Sequence, residues 1–197
     1  MQFSKAEKYL MNKDKKLNIL ITENGPINFK PNNKNPFDLL IEIVVSQFIS
    51  TKAAHAIKSK INLQFNVNHL LPEHFENLSI KKIKELGLST NKSKCIAELT
   101  KLFLSNKFRN NYGYDNDAFR RDLGNIFGIG PWSLNMYDIF LEGKLDIFTS
   151  KDAGLRLSMN LLDMVKEDSN FEDYEKYSEK WAPYRTIACL HLWKYVD

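Results

Sequence analysis

Apolar residues recur in this chain at the three-and-four spacing that places them on one face of an α-helix. The clearest run follows Asn35 and Pro36, which suit the cap and the first position of a helix. Its apolar positions are Phe37, Leu40, Ile41, Val44, Val45 and Phe48. The pattern predicts a buried, central helix.

The same spacing predicts several further helices. One follows directly, capped by Ser50 or Thr51, which places Gln47 and Phe48 at the junction between the two helices. The others are expected at residues 79–86, 91–103, 117–127 and 132–141, and the mostly polar stretch 105–117 is expected to be a loop. Because no segment shows the alternation of a half-buried strand, the fold class is predicted to be all-α.

Composition permits a folded core and argues against several classes of protein. Hydrophobic residues make up 43% and aromatic residues 12% of the 197 positions, and no repeat or low-complexity linker divides the chain. No apolar run is long enough to span a bilayer, and the first residues lack the features of a secretory signal. We therefore expect a cytoplasmic protein without a membrane partner.

Metal sites and disulfides are not expected. Cys95 and Cys189 lack the short spacings of a zinc or iron-sulfur site and are predicted to be buried thiols in a reducing compartment. The four histidines show no metal-ligand spacing either. A formal net charge of +4 permits nucleic-acid binding but also suits many other proteins, so charge alone does not decide the function.

Two glycines flank one apolar residue in Gly128-Ile129-Gly130-Pro131, between two predicted helices. Such a hairpin can use positive φ and can approach a ligand closely, because glycine has no side chain. Its amides and the free NH groups of the next helix would suit a phosphate oxygen. Alternatively, the glycines only end one helix and permit a sharp turn. The motif by itself leaves both interpretations open.

Four segments together resemble the helix-hairpin-helix DNA glycosylase superfamily, in particular its 3-methyladenine DNA glycosylase II branch. They are residues 45–54, residues 123–135 with the hairpin, residues 145–156 and residues 181–193. Residues 17–21 with Gly25-Pro26 resemble the opening of that branch's helical region, so the resemblance spans nearly the whole chain. We expect a helical-only form without the β-rich amino-terminal domain of some longer members.

The resemblance implies a two-lobed helical glycosylase fold in one compact unit of residues 1–197. The lobe with the hairpin is expected at about 36–142, and the second lobe at about 1–35 plus 143–197. The implied activity is hydrolysis of the N-glycosidic bond of alkylated purines such as 3-methyladenine, in base excision repair. The implied partner is damaged double-stranded DNA, bound by a nucleoid-associated, bacterial-type monomer. No cofactor is expected, beyond an optional structural monovalent cation at the hairpin.

By the resemblance, Asp152 is the catalytic carboxylate, although an aspartate there is also a good helix N-cap. Asp138 and Asp146 do not match the family's aspartate position. Members that also nick the strand carry a nucleophilic lysine where this chain has Trp132, so the resemblance implies a monofunctional enzyme. The implied pocket residues are Trp132, Trp193 and Met136.

Phe48 matches the family position of the side chain that fills the gap left by an extruded base. Relatives often carry glutamine or leucine there, and packing of Phe48 in the core is an equal alternative. Gln47, at the same junction, is expected to hydrogen-bond into the gap or to the backbone. The full set of implied DNA contacts is Gln47, Phe48, Gly128, Ile129, Gly130 and Ser133.

Three other functions remain open on the sequence. The same framework could act on deaminated, oxidised or mismatched bases, since only the pocket would differ. A non-catalytic helix-hairpin-helix protein would use the hairpin for DNA binding alone. An all-α interaction protein unrelated to DNA would have no salt-dependent affinity for DNA.

Overall fold

The computed structural model describes residues 2–31, 35–105 and 117–196. Every regular element in these ranges is a helix, which confirms the all-α fold class. In chain order the described α-helices are α1 (Lys5–Lys13), α2 (Lys15–Asn24), α3 (Pro36–Ser46), α4 (Thr51–Phe65), α5 (Ile80–Glu85), α6 (Thr90–Leu104), α7 (Asp117–Gly124), α8 (Pro131–Phe140), α9 (Ala153–Leu161), α10 (Phe171–Ser178) and α11 (Arg185–Val196). Short 3-10 helices lie at Pro72–His74 and Glu179–Trp181.

The chain divides into two compact units. Unit 1 comprises Met1–Pro31 and Gly143–Asp197, and unit 2 comprises Asn32–Glu142. Unit 1 therefore contains α1, α2, α9, α10 and α11, while unit 2 contains α3 to α8.

Unit 1 is built around Trp181, which is fully buried. The indole Nε1 of Trp181 donates to Asp14 Oδ2 at 2.9 Å. The other oxygen of Asp14 caps α2 by accepting from the backbone NH groups of Lys16 and Leu17. One carboxylate thus begins α2 and ties it to the segment before α11. Its burial is acceptable because both oxygens have donors.

The pairing of α9 with α11 in the same unit positions the candidate catalytic residue. Ser158 on α9 is fully buried, and its hydroxyl donates to the Leu192 carbonyl of α11 at 2.6 Å. Leu155 and Met159, on the same face of α9, are also fully buried. A buried polar bond inside an apolar contact fixes the register of the two helices.

Unit 2 has α3 at its centre. The Asn35 side chain accepts from the Asp38 NH at 3.0 Å, and Pro36 is the first helical residue, as predicted. The buried Phe37 ring lies 5.2 Å from Phe103 of α6, which in turn lies 5.6 Å from Phe119 of α7. This run of aromatic contacts packs α3, α6 and α7 together.

Two apolar runs continue past the ends of their helices. Of the two alternatives for Phe48, core packing is wrong, because α3 ends at Ser46 and Phe48 is fully exposed with φ 59°. The apolar face expected to run from Phe119 to Phe127 also stops early, because α7 ends at Gly124 and Phe127 is about half exposed at 49%. Both errors have one cause, since apolar residues continue past the end of a helix into a turn. The loop predicted at 105–117 lies almost entirely outside the described residues.

Both cysteines are free and buried, as the sequence indicated. Burial raises the pKa of Cys95 to about 12, and the charge of Glu98 acts in the same direction. Across the described residues there is no group of three His, Cys, Asp or Glu side chains that could hold a metal ion. The described helices also include none that is long and apolar enough to cross a membrane.

Asp14 gives unit 1 a testable dependence of stability on pH. Burial opposes its charge, but the hydrogen bonds from Trp181 and Lys180 outweigh burial and hold the pKa of Asp14 below its usual range. A carboxylate with a lower pKa in the folded than in the unfolded state stabilises the fold above the unfolded value of about 4. This contribution is lost as the pH falls from there through the lower folded-state pKa. We expect Asp14→Ala to lower the free energy of unfolding by about 2 to 4 kcal/mol at pH 7, because it removes a cap and leaves the Trp181 NH without its acceptor.

The measurement is urea unfolding of both proteins between pH 7 and pH 3. The difference between wild type and Asp14→Ala should shrink as the pH is lowered, whereas the exposed control Asp168→Ala should change stability little at any pH. A difference that stays constant with pH would contradict this account of Asp14.

Candidate active site

Asp152 is the N-cap of α9 and is 8% exposed. Its Oδ1 accepts two hydrogen bonds, one from the Leu155 NH at 2.8 Å and one from the Trp193 indole Nε1 at 3.0 Å. The capping role considered from sequence is therefore real. Capping and catalysis are compatible, because the positive end of the α9 dipole stabilises a carboxylate anion at this position.

Trp193 of α11 reaches Asp152 because Gly154 leaves room for it. A Cβ at residue 154 would lie 3.3 Å from Asp152 Oδ1 and 3.4 Å from Trp193 Cδ1. A side chain there would push against both partners of the hydrogen bond. Glycine at this position thus keeps the indole close to the carboxylate.

The segment before Asp152 is held by its own polar contacts. Arg156 donates through Nη1 to the Ser150 carbonyl at 2.5 Å, and the Ser150 NH donates to Glu175 Oε1 at 2.7 Å. The Asp152 NH donates to the Thr149 carbonyl. Asp152 is consequently held from its backbone as well as from its side chain, while the adjacent Lys151 is exposed.

Asp138 and Asp146, which do not match the family's aspartate position, each form an ion pair with an arginine. Asp138 is buried in unit 2, and both its oxygens accept from Arg120 Nε, at 3.0 and 2.9 Å. Asp146 in unit 1 accepts from Arg185 Nε at 2.7 Å and from Nη2 at 3.1 Å. The Arg185 hydrogen bond holds the pKa of Asp146 below its usual range. Both carboxylates stabilise the fold through fixed partners.

The charge of Asp152 acts on the thiol of Cys189. Burial raises the pKa of Cys189 well above its usual value, and the negative charge of Asp152 acts in the same direction. Its Sγ lies 3.6 Å from the Ile147 carbonyl, to which it donates. A thiol that stays protonated is a poor nucleophile, so Cys189 is not a candidate for nucleophilic chemistry.

In unit 2 the hairpin, residues 125–130, joins α7 to α8. Gly128 has φ 90°, in the region that favours glycine, and a Cβ there would lie 3.2 Å from Cys95 Cβ. Gly130 is the N-cap of α8 with φ −100°, and a Cβ there would have no neighbour within 4 Å. The hairpin therefore uses positive φ, as the sequence allowed, and it does so at Gly128 and not at Gly130.

Helix α8 starts where the hairpin ends, and no side chain caps its first turn. Gly130 has no side chain, and Pro131 at the first helical position has no NH. The first turn of α8 thus lacks the usual N-cap oxygen from the residue before it. Such a helix start is suited to an external anion.

Gln47, the residue before Phe48, connects the end of α3 to the hairpin. Its Nε2 donates to the Gly128 carbonyl at 2.9 Å and to Ser133 Oγ at 2.9 Å. Ser133 is only 3% exposed, so its hydroxyl serves this contact and is not presented to solvent. Ile129 is likewise buried, and its NH donates to the Ile126 carbonyl. The side chains of Ile129 and Ser133, which the resemblance places among the DNA contacts, are thus buried in the hairpin region.

The three predicted pocket residues are distributed over both units. Trp132 and Met136 lie on α8 of unit 2, with Met136 buried and Trp132 partly exposed. Trp193 lies on α11 of unit 1, where its NH is committed to Asp152. Within unit 1 the structure brings Asp152 and Trp193 together, and within unit 2 it brings Gln47, the hairpin and Ser133 together.

Some supporting residues could not be found from sequence. Glu98 of α6 accepts from the Phe127 NH at 2.9 Å, and Cys95 of the same helix lies against Gly128. The Trp193 contact to Asp152 spans forty-one positions. No local sequence pattern predicts contacts between residues this far apart, because such contacts depend on how the helices pack.

The comparisons with known proteins agree with this geometry. Residues 41–183 match the model of the HhH-GPD superfamily of base excision DNA repair proteins. The chain belongs to the HhH-GPD superfamily. The match covers both glycines of the hairpin and Asp152, and it confirms the family expected from the sequence.

Relatives in this superfamily are similar over nearly their whole length. DNA-3-methyladenine glycosylase 1 of Schizosaccharomyces pombe is 30% identical, over 97% of this chain and 86% of its own. The alkylbase DNA glycosidase-like protein mag2 of the same yeast is 27% identical, over 98% and 93%. The structure of the S. pombe 3-methyladenine DNA glycosylase Mag1 in complex with abasic DNA superposes with a TM-score of 0.79, at 26% identity, over 97% of this chain and 96% of that chain.

The two hairpin glycines should respond differently to alanine. Gly128→Ala is expected to lower the free energy of unfolding by about 1 to 3 kcal/mol, because it combines a positive φ with a contact to Cys95. Gly130→Ala fits the fold and should leave stability unchanged. A phosphate close to Gly130 would meet the new methyl group, so affinity for duplex DNA should fall by about tenfold, as for loss of a charged hydrogen bond.

The measurements are thermal unfolding and fluorescence anisotropy with a labelled duplex at two salt concentrations. Gly87→Ala, at another positive φ with open space around it, controls for backbone strain alone. Unchanged DNA affinity in a folded Gly130→Ala variant would refute the assignment of the hairpin to phosphate.

Proposed function

We propose that this protein is a DNA glycosylase that hydrolyses the N-glycosidic bond of alkylated purines such as 3-methyladenine, in base excision repair. The observation that carries the proposal is Asp152, a carboxylate held at a helix N-terminus at the position matching the family's catalytic aspartate. Similarity over nearly the whole chain to proteins named 3-methyladenine or alkylbase glycosylases supports the substrate class.

The chemistry needs one well-placed negative charge. As the bond from base to sugar breaks, positive charge develops on the sugar ring, and a carboxylate stabilises it and orients or deprotonates the attacking water. Hydrogen bonds from the Leu155 NH and Trp193 fix Oδ1 of Asp152 and so fix its orientation. A fixed anion stabilises a developing cation without reorganising during the reaction.

A base within a duplex must be rotated out before such chemistry, and the gap must be held open. We propose that the Phe48 side chain holds this gap open. Its side chain is fully exposed and is presented by a backbone with φ 59°, so core packing does not account for it. Apolar side chains are inserted between base steps by other DNA-binding proteins, in which they unstack the bases and kink the duplex.

We further propose that the enzyme is monofunctional. Trp132, at the position matching the lysine of strand-nicking members, offers no amine for a Schiff base. The product would be an abasic site with an intact strand. The relative Mag1 has been solved with abasic DNA, the type of product this proposal requires.

The proposed partner is damaged double-stranded DNA, bound by a monomer in the compartment that holds the DNA. Hydrolysis by water needs no cofactor. A monovalent cation at the hairpin is compatible with the proposal, because each backbone carbonyl oxygen has two lone pairs. The Gly128 carbonyl accepts a hydrogen bond from Gln47, and the Ile126 carbonyl accepts one from Ile129.

The direct test is base release from a methylated duplex under single-turnover conditions. We expect wild-type protein to release free 3-methyladenine, and strand breaks to appear only after alkali treatment. Borohydride should trap no covalent complex with DNA, because no Schiff base forms. A strand-nicking glycosylase of the same superfamily is the positive control for trapping.

Each alternative gives a different result. Strand breaks without alkali, or a borohydride-trapped complex, would contradict monofunctional action. If the enzyme releases no 3-methyladenine but releases deaminated or oxidised bases from duplexes, its substrates are those bases and not alkylated purines. Salt-dependent binding with no release from any lesion would leave a non-catalytic DNA-binding protein.

A further inference from the structure

One side of α6 supports both the turn at Gln47-Phe48 and the hairpin. Lys92, Cys95 and Glu98 follow one another at intervals of three and so lie on neighbouring parts of the helix surface. Cys95 and Glu98 contact the hairpin, as described above. Lys92 contacts the end of α3, where its Nζ donates to the Val45 carbonyl at 2.7 Å.

The Lys92 contact supplies what the end of α3 lacks. The last turn of α3 contains no basic residue, although a helix C-terminus carries partial negative charge and free carbonyl groups. Lys92 is partly buried, and burial lowers its pKa because the charged ammonium loses water. Although burial disfavours its charge, the Lys92 ammonium lies within hydrogen-bond distance of the Val45 carbonyl, two residues before Gln47.

Phe48 depends on its neighbours for its conformation. A non-glycine residue at φ 59° is in a sparsely populated region and costs about 1 kcal/mol or more. The Phe48 side chain is fully exposed, so its own packing does not hold the turn. The turn is closed by the Ile49 NH, which donates to the Ser46 carbonyl at 3.4 Å. Side-chain contacts flank it, from Gln47 to the hairpin and from Lys92 to the Val45 carbonyl.

We propose that Lys92 is a positioning residue for base extrusion, which fixes the end of α3 so that Phe48 is presented for insertion into DNA. This inference rests on the proposed role of Phe48. Lys92 acts through the Val45 carbonyl and the turn, and it does not touch the reacting atoms in this account. With Glu98 and Cys95 on the same helix, it makes α6 the shared support of both DNA-contacting elements of unit 2.

The test compares Lys92→Met, which keeps the apolar stem, with Lys101→Met, an exposed position on the same helix that loses the same charge. The readout is fluorescence of 2-aminopurine beside an abasic-site analogue in a duplex, which rises when an inserted side chain unstacks it. At saturating protein, we expect Lys92→Met to lose at least about half of the wild-type fluorescence change, and Lys101→Met to keep it. Lys92→Arg retains a cationic donor and should recover most of the signal.

A double-mutant cycle separates positioning from a general loss of stability. In a Phe48→Ala background, Lys92→Met should cause no further loss of signal, because the side chain it positions is gone. An equal loss in both backgrounds would overturn the proposal, as would a wild-type signal in Lys92→Met.

Hydrogen exchange of the free proteins tests the same contact without DNA. Amides of residues 46–50 should exchange faster in Lys92→Met than in wild type or Lys101→Met, with the rest of unit 2 unchanged. Unchanged exchange at 46–50 would overturn the positioning role while leaving the proposed function intact. A wild type that releases no base from any lesion would overturn the proposed function, while exchange would still decide the role of Lys92.

Discussion

The candidate chemistry depends on one hydrogen-bonded oxygen, Asp152 Oδ1. Its two donors come from different helices, the Leu155 NH from α9 and the Trp193 indole from α11. The buried hydrogen bond from Ser158 to the Leu192 carbonyl fixes how α9 packs on α11. The absence of a side chain at Gly154 lets the Trp193 indole lie close to Asp152. A carboxylate in water would have to be reoriented for each reaction, whereas this one is oriented by the packing of two helices.

The elements assigned to DNA form a second connected set, within unit 2. The Gln47 amide joins the end of α3 to the hairpin, and α6 contacts both from one side. The set contains two backbone positions that few residues tolerate, Gly128 at φ 90° and Phe48 at φ 59°. Glycine adopts a positive φ readily, whereas the conformation of Phe48 persists only because the surrounding structure holds it.

Much of this molecule could be predicted from sequence because its helices carry strong local signals. Asn35 and Pro36 gave the start of α3, and Ser79 gave the start of α5, through short-range capping contacts. The family's motifs, which are also local, led to Asp152 and the hairpin. The all-α class followed from periodicity alone.

What could not be predicted depends on where helices end and on which helices meet. Phe48 continues the apolar spacing of α3, so the spacing alone leaves burial and exposure both open, and the end of the helix at Ser46 decides for exposure. Gly130 looks equivalent to Gly128 in sequence, yet only Gly128 has a positive φ. The use of Ser133 as a buried acceptor for Gln47 depends on a contact across eighty-six positions.

In the proposed reaction the Asp152 carboxylate carries the chemistry, and the Asp152→Asn variant removes its charge while it keeps the shape of the side chain. The amide oxygen of asparagine can still accept from Leu155 and Trp193, so the fold and the cap are retained while the charge is lost. Base release from a methylated duplex should be measured in single turnover, with affinity for an abasic duplex measured in parallel. We expect Asp152→Asn to release the base at a rate lower by about a hundredfold or more. Its DNA affinity should equal or exceed that of wild type, because a charge that repels phosphate is removed. Release within about tenfold of the wild-type rate would contradict this role of Asp152, since neutralising the essential carboxylate should cost more than that.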